Sequence, residues 1–180
     1  MRTFTIHTEN TAAAPAGQVL SQVKEGLGFI PNVFAVAAES APALMAFVDL
    51  NNHLANATLT PTERELVQIT ASVENSCTYC VAGHTAFAAM QEVATEIVEA
   101  ARAGGPIPDP RLNALHQMTL ALIRQRGTVD QGVIDAFYAA GYGRAQLLEV
   151  IVGICTKVFS NLANAAVGFP LDDQFAPYSW

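Results

Sequence analysis

The chain is predicted to be all-α, on three observations. Apolar residues recur at three- and four-residue spacing through most of its 180 residues. Helix-start signatures at Ser40, Thr60-Pro61 and Asp109-Pro110 lead several of these runs, and Gly- or Pro-rich stretches close them. No set of alternating segments suited to a sheet is present.

In chain order, Met1 to Ala14 starts with alternation at Phe4 and Ile6, becomes Ala/Thr-rich, and reads as an extended arm able to pack on a neighbouring subunit. Pro15 to Leu27 carries Val19, Leu20, Val23 and Leu27 at helical spacing and ends at Gly26 and Gly28. A turn at Phe29-Ile30-Pro31 leads into a short helix from Asn32 to Ala38. Ser40 caps a helix from Ala41 to Ala55, with Leu44, Met45, Phe47, Val48 and Leu50 inward and His53 near an end where a cation suits the dipole. Thr60 and Pro61 open the next helix, whose buried face runs through Leu66, Val67, Ile69, Thr70 and Val73. The pattern stalls at Glu74-Asn75-Ser76, where Ser76 is the expected cap of a second helix continuing to Met90.

Residues 95–102 form a short helix, and 103–110 (AGGPIPDP) the clearest loop. Asp109-Pro110 opens a helix to Arg126 with Leu112, Leu115, Met118, Leu122 and Ile123 inward, and His116 beside that stripe is a structural or exposed residue. An amphipathic helix follows over 128–140 and a long apolar helix over 144–166. Gly168-Phe169-Pro170 stops the last, leaving a surface-hugging tail over 168–180. Cys155, inside the last helix, reads as a core thiol. The whole is expected to form one domain over 1–180.

Composition bounds the function. Hydrophobic residues make up 51% and charged ones 14%, apolar enough to suggest surface buried between subunits. The most apolar stretch, Leu147 to Phe159, is interrupted by Glu149 and Lys157 and falls short of the roughly 18 uncharged residues of a membrane span. A net charge of −7 without a basic cluster argues against nucleic acid and anionic membranes as partners. Met1 to Asn10 has no basic n-region and no apolar h-region, so no secretory signal is read there. Three cysteines do not make a disulfide framework; two adjacent thiols point to redox work in a reducing cytoplasm.

The chemical signal lies in 65–84, ELVQITASVENSCTYCVAGH. With Ser76 as cap, Cys77 falls in the first turn, Cys80 at i+3 and His84 at i+7, all on one helix face. A helix N-terminus favours thiolate, and CxxC thiols there titrate below the free value of roughly 8.5. The i,i+4 spacing of Cys80 and His84 lets the imidazole exchange a proton with that thiol. Glu65 lies twelve residues before Cys77, about 18 Å along an unbroken helix. Only a chain that folds back at Asn75-Ser76 can bring it to His84.

Each residue has a plainer reading. Cys77, Cys80 and His84 offer three zinc ligands, but a fourth and a second CxxC are missing. Glu65 alone is a first-turn carboxylate that suits the dipole, and Glu74 reads as exposed at its helix end. Setting Glu65 over Glu149 aligns ELVQITASVEN with EVIVGICTKVF and puts Cys77 over Asn161. That echo fits a duplicated helical unit with one thiol-bearing half, and equally any two buried helices.

The pattern Glu65-x11-Cys77-x-Tyr79-Cys80-x3-His84, with 140–149 (AGYGRAQLLE) and Phe159-Ser160-Asn161 downstream, resembles the alkylhydroperoxidase D-like branch of the carboxymuconolactone decarboxylase superfamily. The resemblance runs from about Gly28 to Pro170. It implies an AhpD-like helical bundle that assembles as a homo-oligomer (dimer, trimer or hexamer). It also implies thiol-dependent reduction of hydroperoxides without haem, flavin, metal or other cofactor. By the same resemblance Cys80 is the peroxidatic thiol, Cys77 the resolving one, and His84 with Glu65 the proton relay. The helix-terminus argument favours Cys77 as the more acidic thiol; the position of His84 one turn beyond Cys80 favours Cys80. The chain departs from the family pattern at Tyr79, where a histidine is usual, so one proton carrier is lost or replaced by a phenol.

The expected cycle takes a hydroperoxide to a sulfenic acid on Cys80, then to a Cys77–Cys80 disulfide, which an external dithiol reduces. A thiol–disulfide oxidoreductase without peroxidase activity and a non-catalytic oligomeric scaffold binding a small hydrophobic ligand are the alternatives.

Overall fold

The computed structural model describes residues 4–180; Met1–Thr3, the start of the expected arm, lie outside them. Among the described residues there are nine α-helices and no strand. They are α1 (Ala16–Leu27), α2 (Asn32–Ala37), α3 (Ala41–Ala55), α4 (Pro61–Glu74), α5 (Thr78–Met90), α6 (Thr95–Arg102), α7 (Pro110–Arg124), α8 (Gln131–Ala139) and α9 (Arg144–Val167), with one 3-10 turn at Ala176–Tyr178. The predicted helices all form. α7 ends two residues early because Arg126 (φ 52°) and Gly127 (φ 87°) turn left-handed, and α8 starts at Gln131 rather than 128.

The caps act where the sequence places them. Ser40 accepts from Ala43 N at 3.4 Å and Asp109 from Leu112 N at 2.8 Å. Thr60 forms a reciprocal capping box with Glu63: Thr60 N donates to Glu63 Oε2 at 2.7 Å, and Glu63 N to Thr60 Oγ1 at 3.3 Å.

α4 is the central helix, packed by α5, α6, α7 and α9. Leu66, Val67 and Ile69 of α4 meet Leu115 and Met118 of α7, Phe137 and Val150 in the main core. A second cluster, with Phe47, Tyr79, Phe169 and Phe175, surrounds the thiols. α9 comes close to α4 at Gly153, where a Cβ would sit 2.9 Å from Val67 Cγ1. That approach points Lys157, one turn on, into the interior.

α9, read from the sequence as a long apolar helix, buries its polar side. Its buried residues are Val150, Gly153, Thr156, Lys157, Ser160 and Asn161. Leu148, Ile151, Val158 and Leu162 are exposed. Cys155 shares that outer face, so it is an exposed thiol and not the core thiol expected. Over its full 24 residues α9 has the length and hydropathy to cross a membrane, where the shorter 147–159 window fell short. Its polar face is packed on α4 and α3.

The arm lies on its own chain: Thr5 N donates to Glu39 Oε1 at 2.9 Å and His7 N to Ala35 O at 3.2 Å. The tail does more than hug the surface. Phe169, Asp172 and Phe175 are buried, and Gly83 leaves the space that Phe175 fills, its absent Cβ only 3.2 Å from that ring. Arg102 holds the tail through Tyr178 O and Ser179 O, both at 3.1 Å.

Candidate active site

The break between α4 and α5 is made by Ser76, at φ +54°, with Cys77 N bonded back to Ser72 O at 2.9 Å. Ser76 is therefore the left-handed link rather than the cap. Cys77 itself occupies the cap position, and Cys80 the third residue of α5. The fold-back brings the distant carboxylate home: His84 Nδ1 lies 2.8 Å from Glu65 Oε2. Glu65 Oε1 also accepts from Gln91 Nε2 at 2.8 Å. Four residues expected from the sequence, Glu65, Cys77, Cys80 and His84, are thus gathered and buried in one place.

Sequence reasoning missed a fifth. Lys157 of α9, 3% exposed, places its Nζ against His84 Nε2. An ammonium can only donate, so His84 Nε2 accepts and its Nδ1–H points to Glu65. Burial first, then the Lys157 charge, holds the imidazole below its ordinary pKa and neutral. Burial likewise lowers Lys157, opposed by the negative charge at Cys80 and Glu65. The expected direct proton exchange between His84 and Cys80 is not what the geometry offers: no hydrogen bond joins them among the described residues, because Lys157 occupies the imidazole nitrogen.

Cys80 Sγ lies 3.6 Å from Ser160 Oγ, whose hydroxyl can donate to a thiolate. The Cys80 thiol is pulled down to about 5, first by the hydrogen bond from Cys77, then by the Lys157 cation, Ser160 and His84, against the cost of burial. Cys77 moves up, through the same shared hydrogen bond and burial. The helix terminus favours Cys77, whereas Lys157 and Ser160 beside Cys80 favour the negative charge on that sulfur. Asn164 Nδ2 reaches Cys77 Sγ at 3.5 Å. Asn161 also favours a negative charge on that sulfur, and its buried Nδ2 has no hydrogen-bond partner among the described residues.

Tyr79 does not replace a relay histidine. Its hydroxyl donates to Asp172 Oδ2 at 2.6 Å and accepts from Val33 N at 3.1 Å. Burial, then Asp172, pushes the phenol far above its ordinary value. It clamps the tail to α2 and α5. His116 is structural, with Nδ1 2.9 Å from Thr70 Oγ1. Glu74 is half-buried and paired with Arg124 at 2.8 Å rather than free at the helix end. Glu149 holds the turn before α4, accepting from Thr58 N at 3.0 Å and Thr58 Oγ1 at 2.9 Å. As for zinc, no group of three or more His, Cys, Asp or Glu able to hold a metal exists among the described residues. An ammonium on His84 would also repel a cation there.

Above Cys80 opens a cavity of about 450 Å³, walled by Val23, Phe34, Phe47, Phe87 and Phe175, with Lys157 and Ser160 at the thiol. That volume is in the range of small-molecule sites. The arrangement offers a stabilised thiolate, a second thiol beside it, a buried cation to supply a proton and an apolar chamber for an organic reactant.

Residues 41–119 match the carboxymuconolactone decarboxylase family. No curated protein matches the chain. Among solved structures it is similar to an uncharacterized peroxidase-related protein with an alkylhydroperoxidase AhpD core from Ralstonia eutropha JMP134, at 22% identity and TM-score 0.85, covering 96% of this chain and 93% of that one. An uncharacterized peroxidase-related protein from Silicibacter sp. TM1040 is 20% identical with TM-score 0.77, covering 91% and 90%. The debrominase Bmp8, solved as a cysteine-to-alanine variant with 2,3,4-tribromopyrrole, is 18% identical with TM-score 0.82, covering 99% and 96%.

Proposed function

We propose that this chain, which carries the carboxymuconolactone decarboxylase family match within an AhpD-like fold, is a thiol-dependent peroxidase that reduces organic hydroperoxides. The observation that carries the reading is the placement of Cys80 beside Ser160 and the Lys157–His84–Glu65 chain at the floor of an apolar cavity, surroundings that favour its thiolate.

The Cys80 thiolate attacks the terminal peroxide oxygen, the O–O bond breaks, and the departing alkoxide takes a proton from Lys157. The products are an alcohol and a sulfenic acid on Cys80. Cys77 then attacks the Cys80 sulfur, water leaves, and a disulfide forms. His84, oriented by Glu65, accepts the Lys157 hydrogen bond and so holds the amine in place; the proton that Lys157 gives up is restored from the dithiol in the last step. An external dithiol reduces the disulfide by exchange. Asn161 and Asn164 are placed to stabilise Cys77 as the leaving thiolate of that step. No cofactor enters any step.

Mass spectrometry after one equivalent of cumene hydroperoxide is expected to show loss of two hydrogens between Cys77 and Cys80. Free thiols with unchanged mass would overturn the reading, and disulfide exchange without peroxide consumption would leave a thiol–disulfide oxidoreductase. The fold shared with a debrominase favours one second reading, removal of bromine from an organic ring by the same dithiol. Released bromide from a brominated pyrrole would report it.

Assembly as a homo-oligomer belongs to this proposal. It is supported by Leu148, Ile151, Cys155, Val158 and Leu162, exposed on α9 in alternating three- and four-residue steps, the spacing of a helix-pair seam. A dithiol reductant implies a reducing compartment, the cytoplasm.

A further inference from the structure

We propose that the cavity above Cys80 is a binding site for amphipathic organic carboxylates, with Arg64 as the residue that receives the carboxylate; this names the substrate class of the same site and so rests on the peroxidase reading. The argument begins with the cations. Lys24, Arg102, Arg111 and Arg124 each pair with a glutamate, and Arg126 and Arg144 stand exposed in solvent. Among the described residues, the cations neither exposed nor paired with a carboxylate are Arg64 and Lys157, and both line the cavity. Lys157 already faces the Cys80 thiolate and, through His84, Glu65, both of which also line the cavity, so Arg64 is the cation of the chamber left without an anion and an anionic occupant would supply one.

Their roles divide by position. Lys157 is engaged by His84 at the thiol. Arg64 spends one N–H on Leu59 O at 2.6 Å, leaving guanidinium donors free for a planar carboxylate. Gln68, one turn along α4 on the same face, borders the cavity as a buried amide, and its Oε1 has no partner. That oxygen needs a donor, which a carboxylate does not supply; the NH2 end of the Gln68 amide is the part able to join Arg64 in holding a carboxylate. The phenylalanine walls then enclose the hydrocarbon body, and the peroxide end reaches Cys80. A hydroperoxide on the chain of a medium-length fatty acid has this chemistry; hydrogen peroxide uses none of it.

The test measures protection of Cys80 from iodoacetamide, mapped by peptide mass, with octanoate and octanol as probes. Octanoate is expected to protect at a concentration at least tenfold below octanol in the wild type, and in Arg64→Gln to fall to the octanol level. Octanol protection retained in Arg64→Gln shows the chamber intact. Equal protection by the two probes in the wild type, or an octanoate advantage that survives Arg64→Gln, overturns the proposal. A second arm compares KM for a carboxylate-bearing hydroperoxide and its methyl ester, expected to differ at least tenfold in the wild type only. Because protection needs no turnover, octanoate selectivity without peroxide consumption would sink the peroxidase and leave the carboxylate site standing.

Discussion

Glu63 and Glu65 stand two residues apart on α4, both buried, and face opposite sides of the helix with opposite surroundings. Glu63, 1% exposed, is saturated. It accepts from Thr60 N at 2.7 Å and Tyr142 Oη at 2.9 Å, and pairs with Arg111. Despite burial, which raises it, these hydrogen bonds and the Arg111 charge hold its carboxyl below the usual range. Among the described residues Glu65 bonds only His84 and Gln91, and its line of contacts runs on through Lys157 toward a thiolate. A carboxylate whose partners close on one another locks a fold. One whose partners lead to a nucleophile conveys charge and orientation to it, and helix phase decides which becomes which.

The largest effect should come from breaking the open chain. Lys157→Met is expected to cut Cys80 reactivity and peroxide turnover by roughly two to three orders of magnitude, since the cation and proton source go while an apolar side chain fills the space. Rates with cumene hydroperoxide in the folded variant check this. Breaking the closed cluster should act differently. Glu63→Ala leaves Tyr142, Arg111 and the Thr60 amide without their acceptor and should cost roughly 2–4 kcal/mol in denaturant melts, with Cys80 alkylation in the folded protein unchanged.

Acid separates the two clusters further. Glu63 has a depressed folded pKa, so its contribution is complete above the unfolded carboxylate value and is lost as pH falls through the lower folded one. Cys80 loses its charge earlier, at about 5. Between these points thiol reactivity should fall while stability holds, and Glu63→Gln should flatten the later acid loss of stability. The smallest effect is Tyr79→Phe. It removes the hydroxyl that donates to Asp172 and should cost about 1 kcal/mol in a melt, with thiol reactivity untouched.

The same contrast explains what the sequence made legible. Thr60-Pro61, Ser40 and Asp109-Pro110 announced their helices because caps are local chemistry. The bend at Ser76 could be read from a stalled periodicity, although which residue turns left-handed could not. Lys157 was hidden by an assumption. In an apolar helix a lone lysine reads as an interruption, and the apolar residues are taken as the buried side. α9 reverses this: its polar residues surround the thiols, and its apolar stripe, Cys155 included, faces out. The usable signal was Gly153, Lys157, Ser160, Asn161 and Asn164 recurring at helical spacing, a polar face too orderly for chance exposure. Tyr79 misled in another way, since its partner Asp172 lies 93 residues on, in a tail with no helical period.

Cys77 and a buried cation held by an oriented imidazole together keep Cys80 a thiolate. The direct measurement is the rate of Cys80 alkylation against pH in the wild type and in Lys157→Met. The wild type should titrate at about 5, and the variant higher by about 1–3 units, the shift expected from losing one nearby opposite charge. A wild-type inflection at the ordinary thiol value, or an unmoved one in the variant, would contradict it.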